Sequence, residues 1–294
     1  MRRPFLFLSF LCVPLAALLF LLPGANSASA SDCGEPRPAA PAPKGHLLIV
    51  GGGGTTDDMY ARALALGGGA QSKVLVFPQA SELPDTGESS ADAWRENGAG
   101  EARVADTKDE AAALELVANA TIIWFPGGVQ TRLMSALGPN LPQAIRRRYQ
   151  DGAVIGGTSA GAAVMSNVML TGEIDGASGD DGGLTYVRGH TVETSSGIGL
   201  VDWAIVDQHF LKRRRFQRLF SAVLDRPSLV GVGIDERTAI LVQGRSFEVL
   251  GESNVYVIDA RKAREISGKP GTPNTALDVE LELLRHGMRY EFAD

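Results

Sequence analysis

Cysteine is nearly missing from this chain: 294 residues contain two, Cys12 and Cys33. Cys12 lies in an apolar leader that reads as removable, which leaves Cys33 alone and excludes an internal disulfide in the mature chain. Stability then has to come from the packed core. Histidine is scarce as well, with four in total. No two histidines are close in sequence, and neither H-E-x-x-H nor C-x-x-C occurs, so no metal site and no cofactor is expected. Lys and Arg number 28 against 34 Asp and Glu, a net charge of −6. An acidic chain without a lysine-rich tract is not expected to bind nucleic acid. The phosphate-binding fingerprints also fail. Counting from Gly51, the last glycine position of G-x-G-x-x-G falls on Thr56, and there is no G-K-[ST]. The run Gly51 to Gly54 therefore reads as a close-packed turn.

Long apolar runs are confined to the first residues. Arg2 and Arg3 precede Phe5 to Leu22, and Ala28-Ser29-Ala30 supplies a small-x-small cleavage site, the layout of a secretory signal peptide over 1–30. The protein is accordingly expected to be secreted or periplasmic, with no membrane partner once the leader is gone; the alternative, since the run is longer than most signal cores, is an uncleaved membrane anchor. Losing Arg2 and Arg3 leaves 26 bases against 34 acids, a net charge of −8. Residues 31–44 are Pro/Ala-rich and read as a flexible tail. Residues 45–294 suffice for a single α/β domain. A homodimer is compatible with the sequence, which does not specify oligomeric state.

Short apolar segments alternate with helical ones through the first two thirds of the mature chain. His46 to Val50, Lys73 to Phe77, Thr121 to Phe125 and Ala153 to Ile155 read as strands. Asp57 to Ala65, Ala91 to Gly98, Asp109 to Asn119 and Leu141 to Gln150 read as helices. This predicts a three-layer α/β fold, a mostly parallel sheet with helices on both faces. Trp203 to Val206 and Leu229 to Ile234 continue the strand series, with a helix from about Lys212 to Leu224 between them. Thr238 to Val242, Phe247 to Leu250 and Asn254 to Ile258 follow as strands. Leu277 to Phe292 alternates around Arg285-His286-Gly287 and predicts a C-terminal antiparallel hairpin. Gly172 to Gly189 reads as a loop.

Within that frame, Gly157-Thr158-Ser159-Ala160-Gly161 fits G-x-S-x-G between a strand and a helix, the pattern of a nucleophile elbow. A serine on so tight a turn needs neighbours without bulk. Reactive groups of open α/β sheets collect beyond the carboxyl ends of strands. Four polar groups fall there: Gly127-Gly128, Ser159, Asp207-Gln208-His209 and Asp235-Glu236. A serine nucleophile needs a base and a carboxylate partner. Of the histidines, His209 alone follows a strand on that edge. Glu236 is the candidate carboxylate, with Asp235 its near rival. The order Ser, acid, His of an α/β-hydrolase would instead require Asp235 or Asp259 with His286. Backbone N–H groups of Gly128 and Ala160 are placed to form an oxyanion hole. Arg213, Arg215 and Arg218 suit carboxylate binding. Helical spacing puts Arg213 apart from the other two, unless it lies in the turn before the helix.

These residues resemble the cyanophycinase family of serine peptidases, relatives of the α-aspartyl dipeptidases on a class I glutamine-amidotransferase-like fold. The matching pieces are PGGVQ at Pro126 to Gln130, GGTSAGA at Gly156 to Ala162, DQHFLKRRRFQR at Asp207 to Arg218, and GIDE at Gly233 to Glu236. The resemblance implies Ser159 as nucleophile, His209 as base and Glu236 as its partner. It also implies Gln130, Asp207, Gln208, Arg213, Arg215 and Arg218 as residues lining the substrate site. The substrate it implies is cyanophycin, poly-aspartate bearing arginine on each β-carboxyl, or a related β-aspartyl peptide. Val129 stands where family members often carry an acid, and the 172–189 segment differs from the shorter charged one expected. The expected activity is thus an exported serine exopeptidase releasing β-Asp-Arg dipeptides. The other readings are an isoaspartyl or aspartyl dipeptidase, an esterase of α/β-hydrolase type, and a non-catalytic module holding acidic ligands.

Overall fold

The apolar strand β1 (His46–Val50) is the hub of the main sheet. The computed structural model describes residues 42–174 and 186–292. The leader, most of the Pro/Ala-rich tail, Cys33 and the middle of the 172–189 segment lie outside the described residues. After β1 come α1 (Asp57–Leu66), β2 (Lys73–Val76), α2 (Thr86–Glu96), β3 (Glu101–Val104), α3 (Glu110–Asn119) and β4 (Ile122–Phe125). Next are α4 (Gln130–Leu137), α5 (Asn140–Asp151), β5 (Val154–Thr158), the single turn α6 (Ala160–Ala163), β6 (Val168–Ile174) and β7 (Val192–Ser196). Then follow β8 (Ala204–Gln208), α7 (Phe216–Asp225), β9 (Val230–Ile234), β10 (Thr238–Gln243), β11 (Ser246–Gly251) and β12 (Asn254–Asp259). The last are β13 (Arg264–Ser267), β14 (Thr275–Leu277), β15 (Glu280–Arg285) and β16 (Arg289–Glu291).

The main sheet has the order β16-β11-β10-β1-β5-β4-β2-β3. From β1 to β3 every pairing is parallel, and β10, β11 and β16 add antiparallel strands at the other side. Alternation along each strand feeds two cores. Leu48, Val50, Val76 and Trp124 pack with Met59, Ala63 and Trp94 of α1 and α2. Leu47, Ile49, Phe125 and Ile155 pack with Val117, Leu133, Ile145 and Tyr149 of α3, α4 and α5. Helices thus cover both faces, as the strand–helix alternation predicts.

β8 and β9 do not extend that sheet. They pair in parallel in a second one, ordered β15-β12-β9-β8. Its inner face (Val206, Val232, Val257) joins the α5-side core, and its outer face (Ile205, Ile258) meets Leu219 and Val223 of α7. The C-terminal strands are antiparallel, but to different partners. β15 pairs with β12 and β16 with β11, so the Arg285-His286-Gly287 turn carries the chain from one sheet to the other.

Other boundaries differ for local reasons. α7 begins at Phe216 and not near Lys212, because Arg214 adopts φ +52° and breaks the helical path. α2 starts five residues earlier than Ala91, and β3, α4, β6, β7, β13 and β14 are additional elements. Gly172 to Ile174 belong to β6, so the expected loop begins later than Gly172.

Candidate active site

Ser159 lies between β5 and α6 with φ +56° and ψ −113°, a conformation that a non-glycine residue adopts only under constraint. The surrounding packing supplies that constraint. A Cβ on Gly161 would lie 2.0 Å from the Phe125 carbonyl oxygen, and one on Gly157 would lie 2.6 Å from Gly161. Both glycines of G-x-S-x-G are therefore required by the close approach of α6 to β4 and β5. The Ser159 N–H donates to Val50 O at 3.1 Å, and its carbonyl accepts from Ala162 and Ala163. Ala160 opens α6, so its N–H has no intrahelical acceptor.

β8 and β9 bring the other two groups. His209 Nε2 is 2.9 Å from Ser159 Oγ, and His209 Nδ1 is 2.7 Å from Glu236 Oε1. His209 is buried, itself holds φ +49°, and donates its N–H to Gly51 O at 2.6 Å. The Gly51–Gly54 run is the wall behind this chain of hydrogen bonds. A Cβ on Gly52 would lie 2.3 Å from the His209 ring, and one on Gly53 would lie 2.6 Å from Glu236 Cβ. The turn reading of that run holds, but its partners were not visible in the sequence. They come from strands more than 150 residues downstream.

Burial holds the His209 imidazole below its usual pKa. The hydrogen bond that Nδ1–H donates to Glu236 works in the opposite direction, and the charges of Arg213 and Arg215 depress it further. The neutral ring, able to accept a proton at Nε2, is thus favoured at neutral pH. The acid limb of kcat/KM is therefore expected below pH 6.5, the ordinary histidine value. Arg213→Ala removes one depressing charge and should move that limb upward while raising KM for an anionic substrate. A pH–rate profile of the two proteins checks this, and an unmoved limb would contradict it.

Asp235 does not compete for His209. Its Oδ1 accepts from the Leu211 and Lys212 N–H groups, both at 3.1 Å, and its Oδ2 accepts from Ser253 Oγ at 2.9 Å. It clamps the 210–215 turn that presents Arg213. The Ser, acid, His order is not assembled either. His286 Nδ1 accepts the Gly251 N–H and Asp259 is engaged by Arg261, so neither meets Ser159.

The residues expected to line a substrate site divide into two groups. Arg213 lies in the turn before α7 and is exposed beside His209. Asp207 and Arg218 are 1% and 2% exposed and form a two-pronged ion pair, one arm at 2.7 Å, so they face each other and not an open cleft. Arg215 donates from Nη1 to both Gln208 O and Gln208 Oε1 at 2.8 Å, while its buried Nε has no partner. Burial and the neighbouring Arg218 bring its guanidinium down to about 10, still protonated at neutral pH. Gln130 is buried and donates from Nε2 to Leu170 O and Thr171 O, which fixes β6 against α4. Of the residues expected to line the substrate site, Arg213 is exposed, while Gln130, Asp207, Gln208, Arg215 and Arg218 are buried.

On the other side of Ser159 is the turn after β4. A Cβ on Gly127 would be 3.4 Å from Ser159 Cβ. Gly128 has φ +141° and abuts Ala80, whose carbonyl a Cβ would meet at 2.2 Å. Only glycine fits there.

The fold and this hydrogen-bonded serine, histidine and glutamate are those of a serine-type hydrolase on an open α/β sheet. Peptidase family S51 matches residues 47–250. A cyanophycinase of Geminocystis herdmanii is 33% identical over 261 residues, covering 83% of this chain and 92% of the relative. One of Trichormus variabilis is 30% identical over 266 residues, covering 85% and 86%. The chain belongs to peptidase family S51 and is a serine-type peptidase. A crystal structure of a peptidase from an acI-B1 Actinobacterium matches with TM-score 0.62 and 23% identity, covering 85% of this chain and 98% of that one. A putative peptidase E from Listeria monocytogenes matches with TM-score 0.51 and 16% identity, covering 71% and 99%. These two likenesses concern the fold.

Proposed function

We propose that this protein is an exported serine exopeptidase that hydrolyses cyanophycin to β-Asp-Arg dipeptides. The observation that carries the chemistry is the unbroken chain Ser159 Oγ, His209 Nε2, His209 Nδ1, Glu236 Oε1. Ser159 Oγ attacks the scissile carbonyl carbon as His209 Nε2 takes its proton. Glu236 holds the imidazole in the required tautomer and stabilises the imidazolium. The carbonyl electrons move to oxygen, which the N–H groups of Gly128 and Ala160 receive. As the C–N bond breaks, His209 returns the proton to the leaving amine. Water, deprotonated by His209, then releases the acyl group and restores Ser159.

Substrate class rests on the exposed Arg213, the buried arginines behind it, and the likeness to proteins named cyanophycinase. In this polymer the aspartate carboxyls are all in amide bonds, so the free carboxylates that guanidinium groups suit are those of the pendant arginines and of the chain terminus. Export rests on the Arg2-Arg3 start, the apolar run Phe5 to Leu22 and the Ala28-Ser29-Ala30 site. With the leader over 1–30 and the tail over 31–44, residues 45–294 form one peptidase domain. A second reading, a dipeptidase for isoaspartyl or aspartyl peptides, is favoured by Val129 in the turn beside Ser159.

The test is digestion of insoluble cyanophycin by the purified mature protein, with soluble products read by mass spectrometry. Release of β-Asp-Arg is the expected result. Intact polymer together with cleaved isoaspartyl dipeptides would overturn the polymer assignment and leave the second reading.

A further inference from the structure

Two exposed apolar side chains lie on neighbouring loops at the carboxyl edge of the sheet: Leu83, 69% exposed, after β2, and Val129, 47% exposed, after β4. β2 and β4 are adjacent strands, and their loops are bonded to each other, since the Val129 N–H donates to Ala80 O at 2.9 Å. A Cβ on Gly127 would lie 3.4 Å from Ser159 Cβ, and one on Gly128 would meet Ala80 and Ser81, so two short steps lead from the nucleophile to the 81–85 segment. That segment is tied down. Ser81 Oγ accepts the Leu83 N–H at 3.1 Å and lies 2.7 Å from Thr86 Oγ1. Between these points Glu82 carries the guanidinium of Arg132, in the first turn of α4, at 3.0 Å, and both side chains are open to solvent.

We propose that Glu82, Leu83 and Val129 form a subsite for a cationic, aliphatic-stemmed side chain of the substrate, an arginine-bearing group. The methylene stem lies over Val129 and Leu83, and the substrate guanidinium replaces that of Arg132 on Glu82. The ion pair seen in the structure has the same chemistry as the pair the ligand would form. Exposed pairs of this kind contribute little to stability, so the exchange is easy. The site then has a polarity. Arg213 on the β8 side takes carboxylate and Glu82 on the β2 side takes guanidinium, which sets the direction in which a zwitterionic chain lies across Ser159. The inference rests on the serine peptidase reading above.

The test uses two synthetic oligomers, one of β-aspartyl-arginine units and one in which neutral, near-isosteric citrulline replaces arginine. Wild type is expected to favour the arginine oligomer. Glu82→Gln should reduce that preference by about fivefold, mostly through KM, the upper range for an exposed ion pair. Arg132→Gln frees Glu82 and should lower KM for the arginine oligomer, a change opposite in sign. An unchanged preference in Glu82→Gln, or a raised KM in Arg132→Gln, overturns the subsite while the peptidase reading stands. If wild type cleaves neither oligomer, the cyanophycin reading fails and the subsite falls with it.

Discussion

Replacing Ser159 by alanine is expected to lower kcat by about a million-fold, the scale observed when a triad serine is removed from another serine peptidase. The fold should survive. Ser159 Oγ bonds to His209 Nε2, and the backbone bonds that hold the turn involve the Ser159 N–H and carbonyl, which alanine keeps. Turnover and the thermal midpoint, measured on one preparation, check both halves. Retained turnover would remove Ser159 from the chemistry. Lost turnover with a collapsed midpoint would mean that the side chain serves the fold.

Arg218→Met is expected to have the largest effect on stability. It leaves the Asp207 carboxylate 1% exposed and without its two-pronged partner. Breaking a buried pair from one side costs about 3–5 kcal/mol. At roughly 2–4 °C per kcal/mol for a domain near this size, the midpoint should fall by about 6–20 °C. Asp207→Leu combined with Arg218→Met should recover only part of that loss, because it removes the stranded carboxylate but also the anion 4.0 Å from the buried Arg215 guanidinium. Thermal unfolding of the single and double variants reads this directly. A single variant as stable as wild type would contradict the buried-pair account and return Arg218 to a ligand-facing role.

The parts of the site legible in the sequence are those whose constraint is local. Ser159 could be found because the two glycines its turn requires lie within two residues of it, Gly157 packed against Gly161 in the same strand–turn–helix unit and Gly161 against Phe125 of the neighbouring β4. His209 could be selected because the apolar run before it marks a strand end. What was not legible depends on distant pairing. Gly52 and Gly53 face His209 and Glu236 only because β1 pairs with β10 and the β8 end reaches back to Gly51. The choice of Glu236 over Asp235 turned on the 210–215 turn, whose N–H groups claim Asp235. Gln130 is bonded to β6, a strand that is hard to read because Gly172 interrupts it with φ +97°. The Arg285-His286-Gly287 turn carries ordinary hairpin chemistry. Nothing local says that its two strands join different sheets.

The central claim is that Ser159 becomes covalently acylated. Acid-quenching the protein during turnover of cyanophycin or a β-aspartyl oligomer, followed by peptide mass mapping, tests it. The account predicts a fraction of the peptide bearing Ser159 with the added mass of the substrate's acyl part, absent in Ser159→Ala. Acylation at another residue, or full turnover by Ser159→Ala, would contradict it.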